Sequence, residues 1–446
     1  MRKESLEKSL GAALLTLLLV LSACGGDSES GGRIAPAAKP FKTSPGTGVL
    51  AVDCTRERAY IPLNTADVNG NGQVAVIDLS VNPDLTDPRV ATISLTHPDI
   101  PSGTAFDNDH SLIIVVSGES SGLDGSVDLI DEATNTLVAG SPFAFPAGSQ
   151  SGFFGQALYD AANHLAIIGT CDSATCSSGN PLTGFVTFNP TTHAFGTITA
   201  ANYPEAFAFD NKTNVVIDAS DNDSSGQIGG IDQHNGRACT LNDTNVGGDN
   251  DGSSFDSSTD IVVVSNEATN ATVINLNKAK FAPASGSPCT LNEGGTPPNS
   301  VLVTGLPDET AGSAVDPDNH WAFLISDGSA GMALLTLPTA PVAQLVSADV
   351  TAVSSSFPND PTDSGWGTEG DPYAVTVASC PALPHKGYAV NSDFTFVAEV
   401  DLPTLLNTPL VIPTAPPAGQ CAGTTSTVTK CNNGNGVVFF PLPGLK

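Results

Sequence analysis

Positive charge is scarce in this chain. Sixteen Lys and Arg stand against 46 Asp and Glu, a formal net charge of −30. So acidic a surface repels phosphate backbones and anionic headgroups, which argues against nucleic acid and against electrostatic membrane binding. Charge of either sign is also low, at 14 % of residues, and Trp and Met occur twice each. Stretches rich in Ala, Leu, Glu and Lys together, the composition of helices, are missing. No apolar run reaches the ~20 residues of a membrane-spanning helix; "LGAALLTLLLVL" is too short. There is no H-x-x-x-H pair, no G-x-S-x-G in a strand–helix frame, no phosphate loop and no C-x-x-C-H haem motif, so the commonest catalytic motifs have no foothold. What remains is Val, Ile, Thr, Asn and Asp with 44 Gly and 33 Pro, the composition of short strands joined by tight turns.

The N-terminus carries Arg2, Lys3 and Lys8, then the short apolar run, then "LSAC" from Leu21 to Cys24. This resembles the bacterial lipoprotein signal, in which small residues precede a cysteine. The resemblance implies that residues 1–23 are a signal peptide, cleaved before Cys24, and that Cys24 carries the lipids. Two or three acyl chains give stable attachment where one would not. Residues 24–46 are Gly, Ser, Pro and Ala with few large apolar groups, and read as a flexible tether able to reach roughly 70 Å. Gly25, where an Asp would favour inner-membrane retention, implies the outer membrane. The expected partners are thus the membrane, through the lipid, and a protein of the cell envelope.

Residues 47–446 repeat. "VLAVDCTRERAYIPL", "GTAFDNDHSLIIVVS", "GQALYDAANHLAIIG", "EAFAFDNKTNVVIDA", "GSSFDSSTDIVVVS", "GSAVDPDNHWAFLIS" and "AVTVASCPALPHKGYAV" share one grammar: an apolar strand, an acid, a turn, a second apolar strand. The acids are Asp53, Asp107, Asp160, Asp210, Asp256 and Asp316, with Ser379 in the seventh place, spaced 46 to 63 residues apart. A second hairpin follows in each unit, as in "GQVAVID" and "GSVDLID". Four short antiparallel strands repeated seven times predict an all-β fold, a seven-bladed β-propeller of four-stranded blades. "GSVDLIDEATNTLVAG" resembles the YVTN-type propeller repeat, which implies the same fold and leaves the activity open. The last strand, in "GVVFFPLPGLK", is expected to close the ring by joining N-terminal strand material. The repeated Trp docking motifs of quinoprotein propellers are absent.

Nine cysteines leave eight once Cys24 is lipidated, an even number that suits disulfides in an exported chain. Cys239 and Cys289 hold the same place in units four and five ("RACTLND", "SPCTLNE"). Cys54 and Cys380 each follow the anchor position, in units one and seven, and would staple the ring closure. Cys171 with Cys176, and Cys421 with Cys431, would close short loops.

Candidate chemistry is thin. His110, His164 and His320 recur in the turn after the anchor acid and read as solvated turn residues. A lactonase-type propeller hydrolase, the alternative to a binding or scaffold module, would need carboxylates and amides converging on the axis. Glu205, Asn299 and Glu309 are the available picks. "DVNGNGQVAVID" mimics an EF-hand loop, with Asp67, Asn69 and Asn71 at ligand spacing. "DNDSSGQIGGID" repeats it with Asp221 and Asp223. The terminal acid, Asp78, follows a strand, which carries it some 16 Å from Gly72 and out of reach of the same ion. No cofactor is required on this reading. Calcium is the one candidate ion, at Asp67, Asn69 and Asn71 and at Asp221 and Asp223, against a polar hairpin with Asn-Gly turn chemistry.

Overall fold

A computed structural model describes residues between 50 and 441. Residues 1–49, 173–183, 221–227, 242–249, 277–288, 292–299, 358–371, 379–382 and 408–436, with several shorter connections, lie outside the described residues. The signal, the tether, Cys24, Cys176, Asp221, Asp223, Asn299, Cys380, Cys421 and Cys431 fall among these. The described residues belong to one compact unit.

Seven sheets form in chain order. Each opens with one strand of an antiparallel hairpin: Ala51–Asp53, Pro101–Asp107, Ala157–Asp160, Pro204–Asp210, Asn250–Asp256, Thr310–Asp316 and Pro372–Ala378. Each of these first strands contacts the first strand of the next sheet, and the seventh contacts the first. The cycle closes into a ring with the first strands innermost. Sheets one, five, six and seven have four strands; sheets two and four have five and sheet three has six, so the uniform four-strand unit is not kept. The extra strands are two or three residues long, as in Thr136–Leu137 with Phe143–Ala144. No eighth sheet occurs among the described residues: the long stretch after Thr336 holds a 3-10 turn, Ser347–Asp349, and the fourth strand of sheet six, and Leu402–Asn407 is a short helix.

The apolar runs of second and third strands follow from this ring. A strand with a neighbour on both faces is apolar at every position. In Leu112–Ser117, Ile113 and Val115 pack with sheet one, while Ile114 and Val116 pack with sheet three. In Gln73–Asp78, Val74 and Val76 face sheet two, and Ala75 and Ile77 face sheet seven. Each such Val or Ile side chain contributes roughly 1.5–3 kcal/mol by leaving water. Among the described residues the core is therefore a set of apolar layers at six of the seams. At the seam of sheets five and six the innermost strands come so close that a Cβ on Gly252 would meet Ser265 Oγ and the Ala311 carbonyl.

Ring closure differs from the expectation. Val437–Pro441 pairs with Phe396–Asp401 and completes sheet seven from C-terminal strands alone. Ala51–Asp53 stays in sheet one, because the short Asp53 turn folds it back onto Arg58–Leu63. The two sheets meet face to face through Leu50, Val52, Ile61 and Ile77 against Ala378, Leu383, Tyr388 and Val397.

Candidate functional site: the turn end of the ring

The first-to-second-strand turns gather the anchor aspartates. All six are buried, none more than 3 % exposed. A buried carboxylate needs donors, and the turn supplies them. Asp107 Oδ1 accepts the backbone N–H groups of Asp109 (3.0 Å) and His110 (3.1 Å). Asp53, Asp160, Asp256 and Asp316 each accept the N–H two residues on, at 2.7 to 3.1 Å. The turn ends on a left-handed residue, Glu57, Ser111, His164, Asp260, His320 or His385, with φ between +54° and +59°.

The second carboxylate oxygen reaches further. His110 Nδ1 bonds Asp107 Oδ2 within its own turn at 2.8 Å. His320 Nδ1 crosses a seam to Asp256 Oδ2 at 2.8 Å, and His385 Nδ1 crosses the next to Asp316 Oδ2 at 2.6 Å. The histidines are thus not merely solvated turn residues: His320 has a side chain only 15 % exposed and joins two sheets. Sequence spacing does not point to His385 as a tie, because its partner lies 69 residues away.

At the seam of sheets one and two the arrangement changes. Asp53 is 0 % exposed and Glu132, from the third-to-fourth-strand turn of sheet two, 1 %. Arg56 pairs with Glu132 and lies 3.8 Å from Asp53. Two buried carboxyls thus share one guanidinium; burial and then the neighbouring Glu132 push Asp53 up to about 8. Tyr60 lies against them, donating to Asn135 Oδ1 at 3.0 Å, and burial pushes it up to about 12.

The seam of sheets two and three holds the open part of this end. Asp109 Oδ2 receives the Tyr159 hydroxyl (3.1 Å) and His164 Nδ1 (3.0 Å). His164 is 57 % exposed and Asp109 31 %, and the His110 and His164 rings lie 6.0 Å apart, edge to face. Burial, then the Asp107 and Asp109 carboxylates, push the Tyr159 phenol well up, so it serves as a hydrogen-bond donor. The cluster presents an oriented imidazole beside a phenol to solvent.

Asp67 Oδ1 accepts the N–H groups of Asn69 (2.7 Å) and Asn71 (2.9 Å), and Gly70 takes φ +87°. These bonds, that of Asn71 foremost, hold the Asp67 carboxyl low. The loop is a closed polar hairpin followed by the strand Gln73–Asp78, whose far end carries Asp78 bonded to Ser80. No group of three metal-ligating side chains occurs among the described residues. Glu205 lies on the first strand of sheet four, at a bulge between Pro204 and Ala206, with its side chain outside the described residues. Glu309 is exposed with φ +50°.

Cys54 is disulfide-bonded and packs on the layer between sheets one and seven. Cys171 lies at the end of Leu165–Asp172, opposite Gln150. Cys239 stands directly opposite Cys289.

No family model matches the chain, and no curated protein does. Solved structures match its fold weakly. Dihydro-heme d1 dehydrogenase NirN is 13 % identical with TM-score 0.44, over 80 % of this chain and 64 % of its own. Kluyveromyces lactis Hsv2 is 10 % identical with TM-score 0.43, over 80 % of this chain and 92 % of its own. The Dos1 propeller is 13 % identical with TM-score 0.39, over 64 % of this chain and 82 % of its own. This chain therefore spans just under two thirds of NirN. At these scores the fold rests on the sheet order and the cycle of contacts.

Proposed function

We propose that the chain is a lipid-anchored protein of the cell envelope whose ring is a seven-bladed β-propeller, with four-stranded blades at its base, serving as a binding or scaffold module for a protein or small ligand. Cys24 carries the lipid and holds the ring to the outer membrane through the tether. Cys380 is the partner of Cys54 and staples the closure: it falls between Ala378 and Leu383, two residues of the layer on which Cys54 packs. The observation that carries the reading is the fate of the anchor aspartates. Their oxygens are spent on turns and seams, which makes the ring a rigid platform, while Asp109, Tyr159 and His164 stay open at its surface.

The test is affinity capture of the intact lipoprotein from detergent-solubilised envelopes, with mass spectrometry of what accompanies it. A specific companion that is lost from a Cys24→Ser variant secreted in soluble form, or from a His164→Ala variant, supports the reading. Recovery of the same background with all three proteins counts against it. Failure of wild-type protein to incorporate labelled palmitate would remove the lipid anchor.

A further inference from the structure

We propose that Cys239 and Cys289 form a disulfide that ties the outer edge of sheet four to the connection between the third and fourth strands of sheet five. Arg237–Leu241 is the fourth strand of sheet four. Beyond it a fifth strand, Cys289–Leu291, is added from the chain segment that joins Asn270–Asn275 to Ser300–Thr304 of sheet five. This is the one parallel ladder among the described strand pairs.

The register is Cys239 with Cys289, Thr240 with Thr290 and Leu241 with Leu291. The two "CTL" tripeptides thus lie side by side, each residue against its own kind. Adjacent strands run ~4.8 Å apart, inside the ~4.4–6.8 Å that separates the Cα atoms of a disulfide. Directly opposed residues of a parallel pair share one face of the sheet. A three-residue parallel ladder is a weak attachment on its own, and a covalent tie explains how it persists.

A second observation is independent of this register. Cys54 is already disulfide-bonded, so the fold is one that matures under oxidising conditions. The bond forms by exchange. One thiolate attacks the disulfide of an exported thiol oxidoreductase, and the second then attacks the mixed disulfide. Two protons and two electrons leave the pair, and the oxidoreductase departs as its dithiol.

Full-length lipoprotein is alkylated with N-ethylmaleimide before lysis and digested without reduction. The expected product is a Cys239 peptide joined to a Cys289 peptide, lighter by two hydrogens than their sum and separable by reduction. Alkylation of either cysteine, or linkage of either to a third, overturns the proposal. In a second arm, Cys239→Ser and Cys289→Ser each expose one reactive thiol. Each lowers the melting temperature by about 5 °C, and the double variant by no more than either single one. Additive losses overturn the pairing. A variant that does not fold leaves the decision to the wild-type peptide map.

Discussion

Replacing Asp53 by Asn perturbs the one place, among the described residues, where two carboxyls are buried against each other. In the wild type, Asp53 and Glu132 face a single guanidinium, Arg56, across the seam of sheets one and two. Tyr60 lies beside them and donates to Asn135. Burial, followed by Glu132, raises Asp53 from 3.8 to about 8. Between those values the folded state keeps a proton that the unfolded chain has released. The unfolded state then binds fewer protons, so this group's contribution to stability falls as pH rises. One proton is worth at most ~1.4 kcal/mol per pH unit, so the loss from pH 5 to pH 8 is up to about 4 kcal/mol. With ~2.1 cal/mol/K per residue of unfolding entropy over a unit of about 400 residues, this corresponds to roughly 5 °C in Tm. The amide oxygen of the Asp53→Asn variant would still accept the Thr55 N–H (2.7 Å in the wild type), and the substitution leaves Glu132 and Arg56 as a clean ion pair. The assay is thermal unfolding of Asp53→Asn and wild type from residue 25 onward, at pH 5, 6, 7 and 8 and constant ionic strength. The variant is expected to gain on the wild type steadily with pH. The difference between the two proteins isolates this pair from the general repulsion of an acidic chain. Melting curves that stay parallel across the range would refute the raised Asp53 carboxyl.

Three further outcomes follow from the same end of the ring and the loop opposite it. Ser111 sits at φ +56°, so Ser111→Gly should raise stability by about 0.5–1 kcal/mol in urea unfolding; a loss would mean the turn has another constraint. His320→Ala removes the seam-crossing bond to a fully buried Asp256 and should cost about 1–3 kcal/mol, with a neutral result excluding the bond as a tie between sheets. Calorimetry with calcium on the chain from residue 25 should give no heat at the Asp67 loop, whose carboxylate Oδ1 already accepts two backbone N–H groups. Binding that disappears in Asp67→Ala would restore the ion site.

The repeat was legible because its parts are local. An acid that caps its own turn must stand two or three residues before its donors, so Asp107 and its equivalents mark every unit but the seventh in the sequence. The apolar runs between turns were legible for the same reason, since alternate residues of one strand serve both faces. What crosses a seam was not. Nothing near His385 points to Asp316, and nothing near Asp53 points to Glu132, because the ring sets those neighbours at long range. Outer strands of two residues, such as Ala194–Phe195, are too short to carry a pattern. The neighbours of the C-terminal strand are not legible either, because its apolar residues suit any open edge. The EF-hand match dissolved into a hairpin and a strand that happen to adjoin. The cysteine pair at 239 and 289 was suggested by an identical tripeptide, and the backbone register brought the two copies together.

The position of Cys54 has a mechanical consequence. Ala51–Asp53 is held to Arg58–Leu63 by only three register pairs, and it enters from the side of the chain that leads to the tether. Loaded from that side alone, such a strand would peel away pair by pair and open the ring at its innermost layer. The next residue is a cystine. Under the proposed lipid anchor and the proposed Cys54–Cys380 pairing, tension on the tether would cross a covalent bond into sheet seven after stripping at most one short strand. The remaining strands of sheet one would then stay out of the load path, and on that proposal the ring would be pulled through sulfur rather than through hydrogen bonds.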